Sequence, residues 1–349
     1  MRVWFNRTFS SVYTAIQLIR EADTEGRFHL IYSNANPHAT ASRVAHQFFV
    51  EPTGLDQDAY LAWCLDFCRE QRVDIFIPGK DSTSLAGEHA AFAALGTRVL
   101  SAGAPDALEL IHDKARFYAE TELPGAPVAQ FREFQTIAQF DSAYAELRAL
   151  HPVLCVKPSR SVFGLGFAIL DEERSSAALL LAGAEYRIGL DDMRRGLAEL
   201  GEFRSMLLME YLDGHEYSVD CVGDHGRLVT AVARKKPMKA GRGQLIDMRG
   251  DILDATASLA RSYGLNGVFN VQFREGAGEG DSKALRLLEI NPRMSGGIGM
   301  ACVAGPNLPY IALRGFADGF DQVVVPPVRN GIRVAELSSP AELTSVDAE

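Results

Sequence analysis

The chain has 349 residues, 47% of them hydrophobic and 23% charged, an ordinary globular composition with room for two or three cores. A formal net charge of -10 and a pI of about 5.4 argue against a broad nucleic-acid-binding face, which needs basic surface. No stretch reaches the roughly 18 apolar residues of a membrane-spanning helix. Residues 1–10 lack the apolar core of a secretion signal, so the expected location is cytoplasmic.

Residues 2–5 read as a short apolar strand. Ser10 or Ser11 can cap the helix that follows, where Val12, Ile16 and Ile19 recur near helical spacing. Strands are expected at 28–32, 47–50, 73–78 and 98–100. A helix at 56–71 carries Tyr60, Trp63, Leu65 and Phe67 among its apolar positions. Strands alternating with helices predict a doubly wound parallel sheet. The turn at 5–10 contains no glycine, which argues against a nicotinamide dinucleotide fingerprint. Gly79, Lys80, Asp81 and Ser82 follow the fourth strand at the carboxyl edge, where open sheets bind ligands. A binding role for Lys80 or Asp81 stands there beside that of a plain helix cap. Cysteines at 64, 68, 155, 221 and 302 complete no zinc spacing and read as reduced core thiols.

A turn-rich piece at 101–105 closes this first region. One helix is expected over 106–122, carrying Asp113 and Lys114, before a Pro-Gly break at 123–127. A helix at 139–150 and a strand at 153–157 open a second α/β region. Residues 157–167 hold two glycines between strands and read as a hairpin whose amides can approach phosphate, although no Gly-Lys-Ser/Thr follows to make a Walker loop. Strands at 206–211 and 216–220 flank a turn at Asp213 and Gly214, and a strand at 228–234 pairs next. Arg234, Lys235, Lys236 and Lys239 cluster beyond it, near Arg242. They suit either a solvated edge or a charge clamp on phosphates. A helix at 251–263 and strands at 267–273 and 285–291 complete the pattern, with an acidic turn at 275–281. A last strand is expected at 332–337, then a tail.

The most informative strand end is Leu-Leu-Glu-Ile-Asn-Pro-Arg-Met-Ser-Gly-Gly at 287–297. Glu289 and Asn291 are two apart and project to one strand face. A carboxylate and an amide oxygen suit a hard cation such as Mg2+. Pro292 ends the pairing, and Arg293 suits phosphate oxygens. Taken alone, Glu-x-Asn also fits an ordinary polar strand end. Gln272, across the hairpin, makes the set more specific.

In their order, these pieces resemble the ATP-grasp superfamily, in particular its carbamoyl-phosphate-synthase-like and carboxylate–amine ligase branch, over roughly residues 106–319. The resemblance implies an α/β protein: a Rossmann-like preATP-grasp domain at 1–105, then a two-lobed α+β ATP-grasp module. Its first lobe would span 106–205 with a glycine-rich lid, its second 206–330 with a magnesium-binding hairpin, and 331–349 would be a strand and tail. By the same resemblance Lys114 reaches the nucleotide phosphates, and Lys157 the α-phosphate and adenine side. Ser159, Ser161, Gly164 and Gly166 belong to the lid, and Glu210, Tyr211 and Leu212 to the segment whose backbone reads the adenine edge. Glu216 takes the ribose hydroxyls. Lys235 stands near the γ-phosphate, a place Arg234 or Lys236 could hold instead. Gln272, Glu289 and Asn291 are the metal ligands, and Arg293 stabilises the transferred phosphoryl group. Gln272 departs from the carboxylate many of these ligases carry there, which lowers the charge facing the metals. Phe163 makes the lid compact.

The resemblance implies ATP with two Mg2+ ions, or Mn2+ in their place, and a small-molecule carboxylate activated as an acyl phosphate. A nucleophile, most often an amine, then displaces phosphate. Ser295, Gly296 and Gly297 are candidates for holding the acyl phosphate or the acceptor, or simply form a tight turn. Arg242 and Arg249 are candidates for the carboxylate substrate. A homodimer is among the expected assemblies; nucleic-acid and membrane partners are not. The alternatives are an ATP-grasp kinase or carboxyphosphate-forming enzyme, and a nucleotide-binding regulator without turnover.

Overall fold

The computed structural model describes residues 1–7, 11–160, 165–238, 241–276 and 284–340. The chain divides into two compact units. One comprises Met1–Glu109, Glu216–Gln272 and Ile290–Glu349; the other comprises Leu110–His215 and Phe273–Glu289.

The first unit opens with β1 (Arg2–Phe5), β2 (His29–Asn34), β3 (Gln47–Val50), β4 (Ile75–Ile77) and β5 (Arg98–Val99). They lie in the order β3-β2-β1-β4-β5, every neighbouring pair parallel. The order reverses at β1, as in a Rossmann-like sheet. Strand alternation sends Val3, Phe5, Leu30 and Tyr32 to one face, where α1 (Val12–Ala22) packs. Trp4, Ile31 and Phe76 face the other way, onto α2 (Gln57–Gln71) and Phe92, with α3 (Ser82–Gly87) and α4 (His89–Ala94) on the same return. Asp56 caps α2 by accepting from the Ala59 amide at 2.9 Å.

The single helix expected over 106–122 is two. α5 (Pro105–His112) stops at Asp113, whose backbone is extended and whose side chain caps α6 (Lys114–Glu120) by accepting from the Arg116 amide. Asp favours that role over a helix interior because its short carboxylate competes for nearby amides. The break places Lys114 at the first helical position.

The second unit is built on a mixed sheet of β6 (Phe131–Thr136), β7 (Leu154–Pro158), β8 (Ala168–Asp171), β9 (Arg187–Gly189) and β10 (Glu202–Glu210), in the order β6-β10-β7-β8-β9. Only β8 and β9 run parallel. α7 (Ile137–Arg148) and α9 (Leu190–Leu200) cover it through Phe140, Leu147, Met193 and Leu197, and α8 (Ser176–Leu181) links β8 to β9.

The third sheet holds β11 (Glu216–Asp224), β12 (Arg227–Lys235), β13 (Gln244–Ile246), β14 (Gly267–Glu275), β15 (Leu285–Asn291) and β16 (Arg333–Val334), in the order β15-β14-β11-β12-β13-β16. α10 (Gly250–Ser262) follows β13. α11 (Ile298–Val303) and α12 (Leu308–Asp318) pack Ile298, Ala301, Leu308 and Ile311 against Val222, Val232 and Ile246. Leu313 of α12 also enters the core beside α1. The strand expected at 332–337 is only the two-residue β16.

Candidate active site

In the second unit, α6 and β7 bring two lysines toward Leu288 and Glu289 of β15. Lys114 Nζ stands 3.8 Å from Glu289 Oε2. Tyr118 lies four residues on, hence on the same helix face. Its hydroxyl accepts from Lys157 Nζ at 2.7 Å and donates to the Leu288 carbonyl. Burial is the main influence lowering the Lys157 pKa from the usual lysine value, with Glu289 opposing it. The same burial drives the Tyr118 phenol upward, keeping it neutral. Tyr118 was not among the sequence candidates, yet its i+4 spacing from Lys114 was legible.

Around this group the sequence candidates divide their labour. The Ser159 hydroxyl donates to the Ser205 carbonyl at 3.0 Å, and its own carbonyl accepts from the Lys114 amide at 3.2 Å. Ser159 therefore ties the end of β7 to β10 and α6. Ser161 and Gly164 lie outside the described residues. Gly166 has φ +80°, and a Cβ there would fall 2.8 Å from the Pro158 ring, so only glycine fits beside Pro158 at this position. The Glu210 carboxylate accepts from the Gln130 amide at 3.1 Å and from Arg286 Nε at 3.2 Å. Its side chain is thus committed inward. Tyr211 carries the Arg274 guanidinium 5.6 Å from its ring centroid, and Leu212 is buried.

In the first unit, register decides which basic residue accompanies Glu216. Tyr217 pairs with Lys235 and Ser218 with Arg234 across β11 and β12. Glu216, Ser218, Arg234 and Lys236 therefore share one face, and Tyr217 and Lys235 share the other. Lys236 forms an ion pair with Glu216, and its amide donates to the Glu216 carbonyl at 2.8 Å. Lys235 Nζ instead sits 5.3 Å from the Tyr217 ring centroid. Arg249 joins it there, donating to the Tyr217 hydroxyl at 3.3 Å and pairing with Asp251 at 2.6 Å. Its pKa is raised chiefly by that hydrogen bond to Asp251. Lys235 and Arg249 are therefore not grouped with Glu216. Arg242 is exposed in the turn after residue 240.

Arg234, one of the residues that could have held the γ-phosphate place, is 2% exposed and pairs at 2.8 Å with Asp220, itself 0% exposed. It belongs to the interior of the sheet face. Gln272 Nε2 donates to Asn270 Oδ1 at 3.4 Å. Arg293 Nη2 donates to Asn291 Oδ1 at 3.1 Å, across the turn that Pro292 makes. Ser295 is buried, whereas Gly296 is exposed.

No three His, Cys, Asp or Glu side chains converge as a metal set among the described residues. The candidate donors are instead the Glu289 carboxylate and the Gln272 and Asn291 amide oxygens. Each is a hard oxygen donor of the kind Mg2+ prefers over soft metals; Gln272 and Asn291 lie in the first unit and Glu289 in the second.

A family model described as ATP-grasp in the biosynthetic pathway with Ter operon matches residues 202–340. Over these residues, about two fifths of its length, the chain matches the ATP-grasp family. It is 24% identical over 290 residues to the carbamoyl phosphate synthase large chain of Clavibacter sepedonicus, covering 77% of this chain and 24% of that one. To carnosine synthase 1 of Gallus gallus it is 38% identical over 130 residues, 33% of this chain and 13% of that one. The chain thus spans a quarter or less of the length of these curated relatives. Among solved structures, N5-carboxyaminoimidazole synthetase from Staphylococcus aureus complexed with ADP superposes with a TM-score of 0.66 at 13% identity, over 94% of this chain and 80% of that one. An L-amino acid ligase from Bacillus licheniformis gives a TM-score of 0.61 at 14% identity, over 93% and 77%. These likenesses establish a shared ATP-grasp fold: a parallel sheet accompanied by mixed and antiparallel ones.

Proposed function

We propose that this ATP-grasp protein is an ATP-dependent ligase that activates a small-molecule carboxylate as an acyl phosphate for attack by an amine. The observation that carries the proposal is the half-buried Lys157, with Lys114 beside Glu289, at a strand end that continues into Asn291 and Arg293. The similarity to a carnosine synthase and the shared fold with an L-amino acid ligase support the carboxylate–amine direction.

In the first step a carboxylate oxygen bonds to the γ-phosphorus and the bond to the β-bridging oxygen breaks, releasing ADP. In the second, the amine nitrogen bonds to the acyl carbon, the carbon–oxygen bond to phosphate breaks, and the amine loses a proton. Such chemistry needs positioning and charge neutralisation, not a covalent protein nucleophile. Lys114 and Lys157 place positive charge on the phosphates. Glu216 receives the ribose hydroxyls. Lys236, on the face of Glu216, is the better candidate for the γ-phosphate than Lys235. Arg293 follows the phosphoryl group as charge develops on it. Gln272, Glu289 and Asn291 would hold Mg2+, which when bound would supply charge neutralisation for phosphoryl transfer. The turn at 295–297 faces the acceptor. The five free thiols suit a reducing cytoplasm, and among the described residues no helix is long and apolar enough to cross a membrane.

A screen for ADP release with amino acids and other carboxylates, paired with amine acceptors, tests this. ADP, phosphate and an amide formed together support ligation. A stable phosphorylated product would make the protein a kinase. Nucleotide binding without turnover under any pair would make it a regulator.

A further inference from the structure

The buried Arg234–Asp220 pair does no chemistry in the reaction above, yet it is the centre of a hydrogen-bonded chain within the first unit. Arg234 Nε donates to Asp220 Oδ2 at 2.9 Å, and Nη2 donates to Ser218 Oγ at 3.1 Å and to Ser295 Oγ at 3.0 Å. Nη1 donates to Gln244 Oε1. Beyond Ser295, its hydroxyl oxygen accepts from the Gly297 amide at 3.1 Å. In the other direction, Asp220 Oδ1 accepts from Asn270 Nδ2 at 3.0 Å, and Asn270 Oδ1 accepts from Gln272 Nε2 at 3.4 Å. A Cβ at Gly297 would meet three guanidinium atoms of Arg234 at 2.5–2.7 Å. The guanidinium therefore lies against the main chain of the turn.

Two consequences follow from hydrogen-bond polarity. A guanidinium only donates and a carboxylate only accepts, so the direction of each link they make is fixed. Asn270 spends its NH2 group on Asp220 and Ser218, which leaves only its carbonyl for Gln272. Gln272 must then turn its NH2 inward and its oxygen away from Asn270. An amide that could otherwise sit either way round is set with its metal-binding atom outward.

We propose that Arg234 and Asn270 are positioning residues: one buried network orients the Gln272 amide for the metal and holds the turn at 295–297 for the acceptor. This rests on the ATP-site reading given above. The two tasks are linked through a single desolvated ion pair, so the metal edge and the acceptor turn keep a fixed spacing. Networks of this kind hold geometry only when every member is satisfied.

Arg234→Ala would leave Asp220 buried and unpaired and can fail to fold, so the test uses Asn270→Ala and Ser295→Ala in the full chain. ADP binding is measured by calorimetry across a Mg2+ titration, thermal unfolding serves as the folding control, and kinetics follow with the pair that releases ADP. Asn270→Ala is expected to raise the Mg2+ needed for half-maximal enhancement of ADP binding about tenfold, leaving metal-free ADP affinity and acceptor KM unchanged. Ser295→Ala should raise acceptor KM about tenfold with ATP KM unchanged. Asn270→Gln, which keeps the amide, should recover part of the metal dependence. If both alanine variants unfold like wild type and match it in Mg2+ dependence and acceptor KM, the network is only structural and the proposal falls. If wild type itself binds no ADP, the ATP-site reading falls first and takes the proposal with it.

Discussion

Lys114 and Glu289 form a 3.8 Å ion pair in the second unit, so a lysine expected to meet phosphate already holds a carboxylate expected to meet metal. Nucleotide with Mg2+ would exchange this one contact for two: phosphate on the lysine, metal on the carboxylate. Glu289→Gln should lower ADP release with the true substrates by about two orders of magnitude, equivalent to about 3 kcal/mol in the barrier. The pair is partly exposed, so the melting temperature should change little. An ADP-release assay beside a melting curve checks both; unchanged turnover would remove Glu289 from the catalytic set.

Lys157 gives two pH dependences of opposite sign. Its folded pKa lies below the usual value of 10.5, through burial first and against the pull of Glu289. Between that lowered pKa and 10.5 the unfolded chain binds more protons, so stability should rise with pH through this window. Phosphate binding prefers the charged lysine, so ADP affinity should fall over the same window. Lys157→Arg, always charged, should flatten the affinity profile. Calorimetric affinities and melting temperatures across alkaline pH measure the two; parallel changes would contradict this assignment.

The register of β11 and β12 separates the neighbouring lysines. Lys236→Ala should weaken MgATP binding about tenfold or more, since it removes the cation paired with Glu216. Lys235→Ala, on the Tyr217 face, should change it less than threefold. Filter binding or calorimetry decides the point, and the reverse ranking would restore Lys235 to the γ-phosphate.

Arg293 follows the strand end and is held by Asn291 at 3.1 Å. Arg293→Lys keeps the charge but loses the planar fork. It should reduce kcat on the order of 100-fold or more while ATP KM moves little, because the interaction strengthens only as phosphoryl charge develops. An equal loss in kcat and rise in ATP KM would point to ground-state binding instead.

Breaking the buried pair should be a stability event. Arg234→Met leaves Asp220 without its cation and should cost about 3–5 kcal/mol. Adding Asp220→Leu should recover much of that, as apolar replacement of a whole buried pair often does. Denaturant unfolding of the single and double variants tests this; additive losses would show that the pair is not coupled.

Much of this was legible in the residues. The alternation that gives β1 to β5, the helix that ends at Gln71 and the Glu-x-Asn spacing of β15 follow from spacing and side-chain chemistry alone. What was hidden depended on register and burial. Which of Arg234, Lys235 and Lys236 accompanies Glu216 is decided by a one-residue offset between two strands, and a slip of one reverses every face. A bulge between Val222 and Gly223 shifts that register in a way the apolar pattern does not announce. Arg234 looked like a surface clamp because arginines usually are exposed, and its partner Asp220 lies one strand away. The break at Asp113 was missed because the apolar pattern continues through it, although an Asp before a helical run is a cap signal.

The first unit is assembled from three separated stretches, with Leu313 completing a core begun by Val3 and Phe5. During synthesis, that face of the first sheet must therefore wait for residues beyond 290 to leave the ribosome. A nascent chain ending near residue 109 would present Leu30, Tyr32 and Ile16 without the helix that helps cover them, a surface prone to self-association. Residues 1–109 expressed alone should aggregate, and co-expressed residues 290–340 should rescue their solubility.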